Sequence, residues 1–289
     1  MLARANFTFH TVFFHKISFH SLLLCVTLLI PTILYAAQTS PPLRIAVAAN
    51  FSPVLTLLLP EFTAQTGIKT QVISGATGAL FQQIRHGAPF DVFLAADAIR
   101  PKLLAQQSLI IKDSLQTYAI GQLALFSATN ALPDIEKLQT SSRLAIANPN
   151  TAPYGLAAKQ SLQHLGLWQG YKNKLVIGIN INQTFQQVRS QAVNLGIVAY
   201  SQLKLNKLKG ILLPENSYDA IKQQLVILKN SKNITQAKAF SQFLLSESIQ
   251  TKISELGYKK VIIANIANKS ANNSANKTVK ADLAMASEQ

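Results

Sequence analysis

The chain has 289 residues, of which 48% are hydrophobic and 13% charged, with 27 lysines and arginines against 12 aspartates and glutamates. The stretch from Leu43 to Lys260 is long enough to bury one large core or two small ones. The net charge of +15 invites a nucleic-acid reading. However, the lysines are scattered and no basic-aromatic run accompanies them, so a positive field that gathers small anions is the more economical account.

Residues 1–36 read as a signal peptide. Arg4 and Lys16 flank an apolar run from Leu22 to Leu34 that ends in Tyr35–Ala36–Ala37, a small-residue cleavage site. Interrupted by Thr27 and Pro31, that run falls short of the roughly 20 residues a membrane-spanning helix needs. Removing the leader takes away Cys25, the chain's only cysteine, and lowers the net charge to +13 by the loss of Arg4 and Lys16. The exported chain, expected in the periplasm, is therefore held by its core and not by disulfides.

Leu43–Ala49 reads as a strand and Asn50–Phe51–Ser52–Pro53 as a helix start, the helix running to Thr66 with Val54, Leu57, Leu58 and Phe62 inward and Gly67 ending it. Ile68–Ser74 follows as a strand, then Gly75–Ala76–Thr77–Gly78 leads into a helix to Arg85. Phe90–Ala95 is a third strand, and Asp97 caps a further helix up to about Gln107. This alternation predicts a parallel sheet covered by helices on both faces, with ligands beyond the carboxyl ends of the strands. Tyr118–Ser127 reads as one long strand. A second alternation then begins at Leu144–Ala147 and stops at Asn148–Pro149. Thr151 is placed to cap a helix with Pro153 in its first turn, which leaves the N–H groups of Tyr154, Gly155 and Leu156 pointing out of a strand-to-helix turn, an anion seat without a cationic side chain. This helix carries Leu156, Leu162 and Leu165. Leu175–Ile179 is a strand, Asn182–Val193 a helix capped by Asn180 or Asn182, Leu195–Tyr200 and Gln224–Leu228 strands, and Ile234–Leu245 a helix. From Val261 the composition turns to Asn, Ala, Lys and Ser with no packing period, and 261–289 reads as a disordered tail.

Catalytic groups are scarce. Beyond the leader there are two histidines, His86 and His164, both near predicted helix C-termini, where they complement the dipole, and neither has metal-ligand spacing. Ser52, Ser74 and Ser201 lack a partner base, no Gly-x-Ser-x-Gly elbow occurs, and no Walker loop is present. Asp91 and Asp97 are candidates for an acid pair, but the first falls in a strand and the second at a helix cap. What the sequence offers is neutral donors at helix starts: Asn50 with its side-chain amide and backbone N–H, the Thr77 hydroxyl, the turn at Tyr154, and Ile181 between two asparagines. Hydrogen bonds to an anion contribute roughly 1.5–3 kcal/mol each, so several together replace the hydration of a small dianion.

Ala48–Ala49–Asn50–Phe51, Gly75–Ala76–Thr77–Gly78, Gly87–Ala88–Pro89–Phe90–Asp91–Val92, Ala95–Ala96–Asp97, Ala147–Asn148–Pro149, Ala152–Pro153–Tyr154–Gly155 and Leu195–Gly196–Ile197–Val198 together resemble the periplasmic molybdate-binding proteins of ABC importers, in the order that family has them. The resemblance implies an α/β, two-lobed type II periplasmic binding fold, each lobe a mainly parallel sheet flanked by helices. It places lobe 1 at 43–120 plus 225–260 and lobe 2 at 121–224. It implies an oxyanion held by Ala49 (backbone), Asn50, Thr77, Tyr154 and Ile181 (amide). Some members carry a tyrosine immediately after the Gly-Ile-Val strand. Here that position is Ala199, and Tyr200 is turned to the other face of a strand, outside the site. The function so implied is capture of molybdate, and of tungstate, by a monomer that closes by hinge motion and docks on the membrane permease, with no cofactor, no metal beyond the oxyanion, no nucleic acid and no catalysis. The rival readings are the same fold binding sulfate, phosphate or another oxyanion, a hydrolase or transferase acting on a phosphorylated or sulfated metabolite, and a basic nucleic-acid or surface-binding module.

Overall fold

The computed structural model describes residues 41–129 and 132–261. The expected signal peptide with Cys25, and the expected tail beyond Val261, lie outside the described residues. Ten strands appear there: β1 (Leu43–Ala48), β2 (Thr70–Gly75), β3 (Val92–Ala95), β4 (Gln116–Gly121), β5 (Leu123–Phe126), β6 (Leu144–Ala147), β7 (Leu175–Gly178), β8 (Gly196–Ala199), β9 (Ile211–Leu212) and β10 (Ile221–Ile227). The helices are α1 (Ser52–Thr66), α2 (Thr77–Arg85), α3 (Ile99–Gln106), α4 (Lys137–Thr140), α5 (Pro153–His164), α6 (Trp168–Tyr171), α7 (Ile181–Arg189), α8 (Tyr200–Leu205), α9 (Ile234–Leu245) and α10 (Glu247–Glu255).

Two five-stranded sheets form, in the orders β2-β1-β3-β10-β4 and β7-β6-β8-β5-β9. In each, the fourth strand runs against the others: β10 pairs antiparallel with β3 and β4, and β5 with β8 and β9. The remaining neighbours are parallel, with Leu43 opposite Thr70 in the first sheet and Leu144 opposite Leu175 in the second. The two-lobed α/β architecture of mainly parallel sheets is thus the observed one. The reversal of β10 and β5 follows from where the chain crosses between lobes, because a strand entering from the opposite lobe arrives at the far end of its new sheet.

Both faces of each sheet are covered, as the near-continuous apolar strands require. Val92 and Leu94 pack with Phe51, Phe62 and Phe240 under α1 and α9, while Phe93 and Ala95 pack with Leu80, Phe81 and Ile84 of α2. In the second sheet Leu144 and Ile146 face Tyr154 and Leu162 of α5, and Ala145 faces Phe185 and Val188 of α7.

The predicted strand Tyr118–Ser127 is cut in two at Gln122, β4 staying in the first sheet and β5 belonging to the second. The break falls at Gly121–Gln122, and the residues on either side of it are apolar because each sheet buries its own half. The lobe limits expected from the sequence divide β10 between Gln224 and Leu225, whereas its pairing in the first sheet starts at Ile221 opposite Gly121. In α1 the inward residues are Val54, Leu55, Leu58 and Phe62, and Leu57 is exposed. Tyr200 opens α8 and does not extend β8.

Candidate functional site

Parallel strands deliver their carboxyl ends, and the helices that follow them, to one place. The turns after β1, β2, β6 and β7 meet between the lobes around a space of about 10 Å³, and Ala49, Asn50, Thr77, Tyr154 and Ile181 all border it. That volume is about the room one water needs, far below the several hundred Å³ that sugars or drug-sized ligands require, and a larger guest would have to part the turns that border it. None of the residues bordering it carries a charged side chain. A wider depression of about 1070 Å³ lies elsewhere on the first lobe, beside Lys112, Lys238 and Lys260. Its lining carries Asp113 and Glu247 beside those lysines and comes from the first lobe alone, so the small space, which both lobes border, is the candidate site.

The backbone geometry explains why donors are free there. Helices α2 and α5 have Ala76 and Ala152 at their N-caps, residues with no side-chain oxygen to cover the first turn. Ala152, in extended conformation, occupies the cap position where Thr151 was expected. Gly155 and Leu156 both donate to Ala152 O, at 2.9 and 3.0 Å, so of the three amides expected from this turn only that of Tyr154 is left over. At α7 the Asn180 side chain caps Asn182 and Gln183, at 3.0 Å each, and skips Ile181. Within the described residues the N–H groups of Asn50, Thr77, Tyr154 and Ile181 find no acceptor. Ala49 differs: its N–H donates to Gly75 O at 2.9 Å, so it contributes wall and not donor.

The side chains divide similarly. Thr77 Oγ1 accepts from Ala96 N–H at 3.1 Å, which leaves the hydroxyl proton for another acceptor. The Asn50 amide is turned away, Nδ2 donating to Gln223 Oε1 (3.0 Å) and Tyr258 Oη (3.1 Å), so Asn50 offers its backbone N–H to the space. Tyr154 likewise buries its hydroxyl in the crossing region, where Oη accepts from Gln223 Nε2 at 3.1 Å. Burial pushes the Tyr154 and Tyr118 phenols well above the usual tyrosine value and that of Tyr258 up to about 12, so all three are neutral donors and acceptors at physiological pH. At the mouth, Gly78 N–H donates to Thr151 O at 2.8 Å and Arg100 Nη2 to Asn150 O at 3.1 Å, joining the lobes.

Other residues singled out in the sequence stand apart from this space. His86 caps α2 and His164 ends α5. Asp91 is buried and accepts from Arg44 N, Ser231 Oγ and Asn233 Nδ2, while Asp97 pairs with Arg100. Tyr200 packs on the outer face of the second sheet. Among the described residues no three His, Cys, Asp or Glu side chains come together. Sequence reasoning passed over Gln202, whose Nε2 donates to Ile181 O (3.2 Å) and Asn182 Oδ1 (2.9 Å) while its Oε1 accepts from Ala199 N–H (3.1 Å), fixing the Ile181 turn. It also passed over Gln223. A glutamine on the inward side of the apolar Ile221–Ile227 strand was the available sign.

A two-lobed α/β fold with a small, uncharged, donor-lined space between its lobes is the build of a solute receptor. Residues 43–259 match the family of bacterial extracellular solute-binding proteins, and the chain belongs to it. It is 38% identical over 234 residues to the molybdate-binding protein ModA of Azotobacter vinelandii, covering 78% of this chain and 93% of that one. To ModA of Rhodobacter capsulatus it is 38% identical over 218 residues, 74% of this chain and 86% of the relative. The solved structure of the Azotobacter vinelandii periplasmic molybdate-binding protein superimposes with a TM-score of 0.72 at 35% identity, over 75% of this chain and 98% of that one.

Proposed function

We propose that the chain captures molybdate, and tungstate with it, outside the cytoplasm for an ABC importer. The observation that carries the reading is the convergence of four unpartnered amides and one hydroxyl proton, from both lobes, on a single uncharged space. An oxyanion offers acceptors in every direction and no donors, which is what such a shell needs. The positive ends of α2, α5 and α7 add to the attraction without a buried counter-ion. The names of the two ModA relatives select molybdate within that class.

The lobes are taken as 43–120 with 225–260 and 121–224, with β10 drawing the second boundary forward to Ile221. Closure about the two crossings buries the guest, and the closed protein, a monomer in the periplasm, presents it to the permease. The site needs no cofactor, and no general base borders Thr77, so a hydrolase or transferase reading has no proton acceptor to work with.

Titration calorimetry of the exported chain decides the matter. Molybdate and tungstate are expected to bind tightly at one site, with sulfate and phosphate far weaker because they are smaller. Equal binding of sulfate would assign the site to another oxyanion, and no binding of any of the four would remove the proposal.

A further inference from the structure

Gln223 touches nothing in the ligand space, yet it joins the residues that line it. The side chain is fully buried in β10, beside the point where the chain returns from the second lobe. Its Oε1 accepts from Asn50 Nδ2 and from Tyr118 Oη, both at 3.0 Å, and its Nε2 donates to Tyr154 Oη at 3.1 Å. Asn50 and Tyr154 each supply an amide to the space from opposite lobes. The pairing of β10 with β4 slips at this residue: Gln223 faces Ala119 and Gln224 faces Thr117, so Tyr118 is an extra residue, and its ring comes to meet Gln223. Bulges of this kind re-aim side chains next to functional sites. Gly121, where the chain leaves for the second lobe, completes the arrangement: a Cβ there would fall 2.2 Å from Tyr154 Oη and 2.9 Å from Gln223 Nε2. A second link runs alongside, Ser201 Oγ to Tyr258 Oη (3.1 Å) and Tyr258 Oη to Asn50 O (3.1 Å).

We propose that Gln223 is a positioning residue for oxyanion binding: one amide, anchored on the first lobe, holds the Asn50 and Tyr154 turns in register across the crossing. The contacts Gly78 to Thr151 and Arg100 to Asn150 join the lobes at the mouth, whereas the Gln223 contacts lie beside the crossing at Gly121. An apolar side chain of the same shape keeps the packing and loses the register. A purely structural glutamine would lower the melting temperature and leave affinity alone.

The inference rests on the molybdate reading for its affinity measurement and stands apart from it in a second one. Gln223→Met, which removes the hydrogen bonds to Asn50, Tyr118 and Tyr154, is expected to raise the dissociation constant for molybdate about tenfold as the two turns lose their common anchor. Tyr154→Phe, which keeps the backbone amide and removes only the hydroxyl, is expected to raise it less. The double variant should bind no more weakly than Gln223→Met, because the hydroxyl then has no partner left to lose. Gln223→Met binding as the wild type does, or losses that multiply in the double variant, overturns the proposal. If Gln223→Met does not fold, Tyr154→Phe decides alone, an unchanged dissociation constant overturning it. Backbone amide chemical shifts without ligand separate this from the functional reading. Wild type that binds no molybdate removes that reading, while Asn50 and Tyr154 amide shifts in Gln223→Met identical to wild type remove the register.

Discussion

Thr77 is buried at the first turn of α2 with one lone pair occupied by Ala96 N–H, which leaves its proton free for an acceptor in the space between the lobes that it borders. Hydrogen bonds to a charged acceptor contribute about 1.5–3 kcal/mol. Thr77→Val, which keeps the shape and removes the hydroxyl, is therefore expected to weaken oxyanion binding at least tenfold, about 1.4 kcal/mol. The circular dichroism spectrum should stay that of the wild type and the melting temperature fall only slightly, for the lost acceptor of Ala96. An unchanged dissociation constant would move the site elsewhere. Gly121 is the opposite kind of residue, valued for the atom it lacks. Gly121→Ala drives a methyl into Tyr154 Oη and Cζ, at 2.2 and 2.8 Å. A loss of about 1–3 kcal/mol is expected, read as a lower urea midpoint. Residue-scale chemistry was legible where it depends on backbone position. Thr77, Tyr154 and Ile181 sit at helix starts, and helix starts leave amides free whatever fills the rest of the chain. The orientation of the Asn50 amide was not legible, because its partners Gln223 and Tyr258 lie 173 and 208 residues away.

The working unit of the site is the strand-turn-helix, repeated twice in each lobe. In α5 the unit is as tight as it can be made: a Cβ on Gly155 would lie 2.2 Å from Ala147 O and 2.6 Å from Ala147 C, backbone atoms that cannot swing aside. Gly155→Ala is expected to lever α5 off β6, displacing the Tyr154 amide. Affinity and melting temperature should fall together, and a variant that loses stability while binding normally would show that Tyr154 N–H is not a donor. Existence and order of these units came through the sequence, since strand runs and Pro-bearing helix starts are local signals. The cap of α5 at Ala152 in place of Thr151 and the inward Leu55 in place of Leu57 did not, because both depend on the angle at which a helix meets its sheet.

Across the whole molecule, the lobes are pinned near their crossings by neutral groups: the phenols of Tyr118, Tyr154 and Tyr258 with the amides of Asn50 and Gln223. Burial raises these phenols above the ordinary value near 10, Tyr258 to about 12. A raised pKa favours the protonated folded form, so the stability this network contributes is complete below about pH 10 and is lost as the pH climbs toward about 12. Urea midpoints should therefore drop through that alkaline window, and molybdate affinity should be level from about pH 6 to 9, where nothing bordering the space ionises. A midpoint unmoved up to pH 12 would mean the phenols are not buried together. By itself the sequence determined the alternation of strands and helices, the mainly parallel sheets and the neutral helix-start donors, because each is written in patterns a few residues long. Only the tertiary structure decided which strands reverse, where Tyr118–Ser127 divides between sheets, and that Gln223 ties Asn50 to Tyr154. Those outcomes come from segments far apart in the chain, 69 residues for Tyr154 and 173 for Asn50 from Gln223, being packed against one another, and no local pattern encodes that distance.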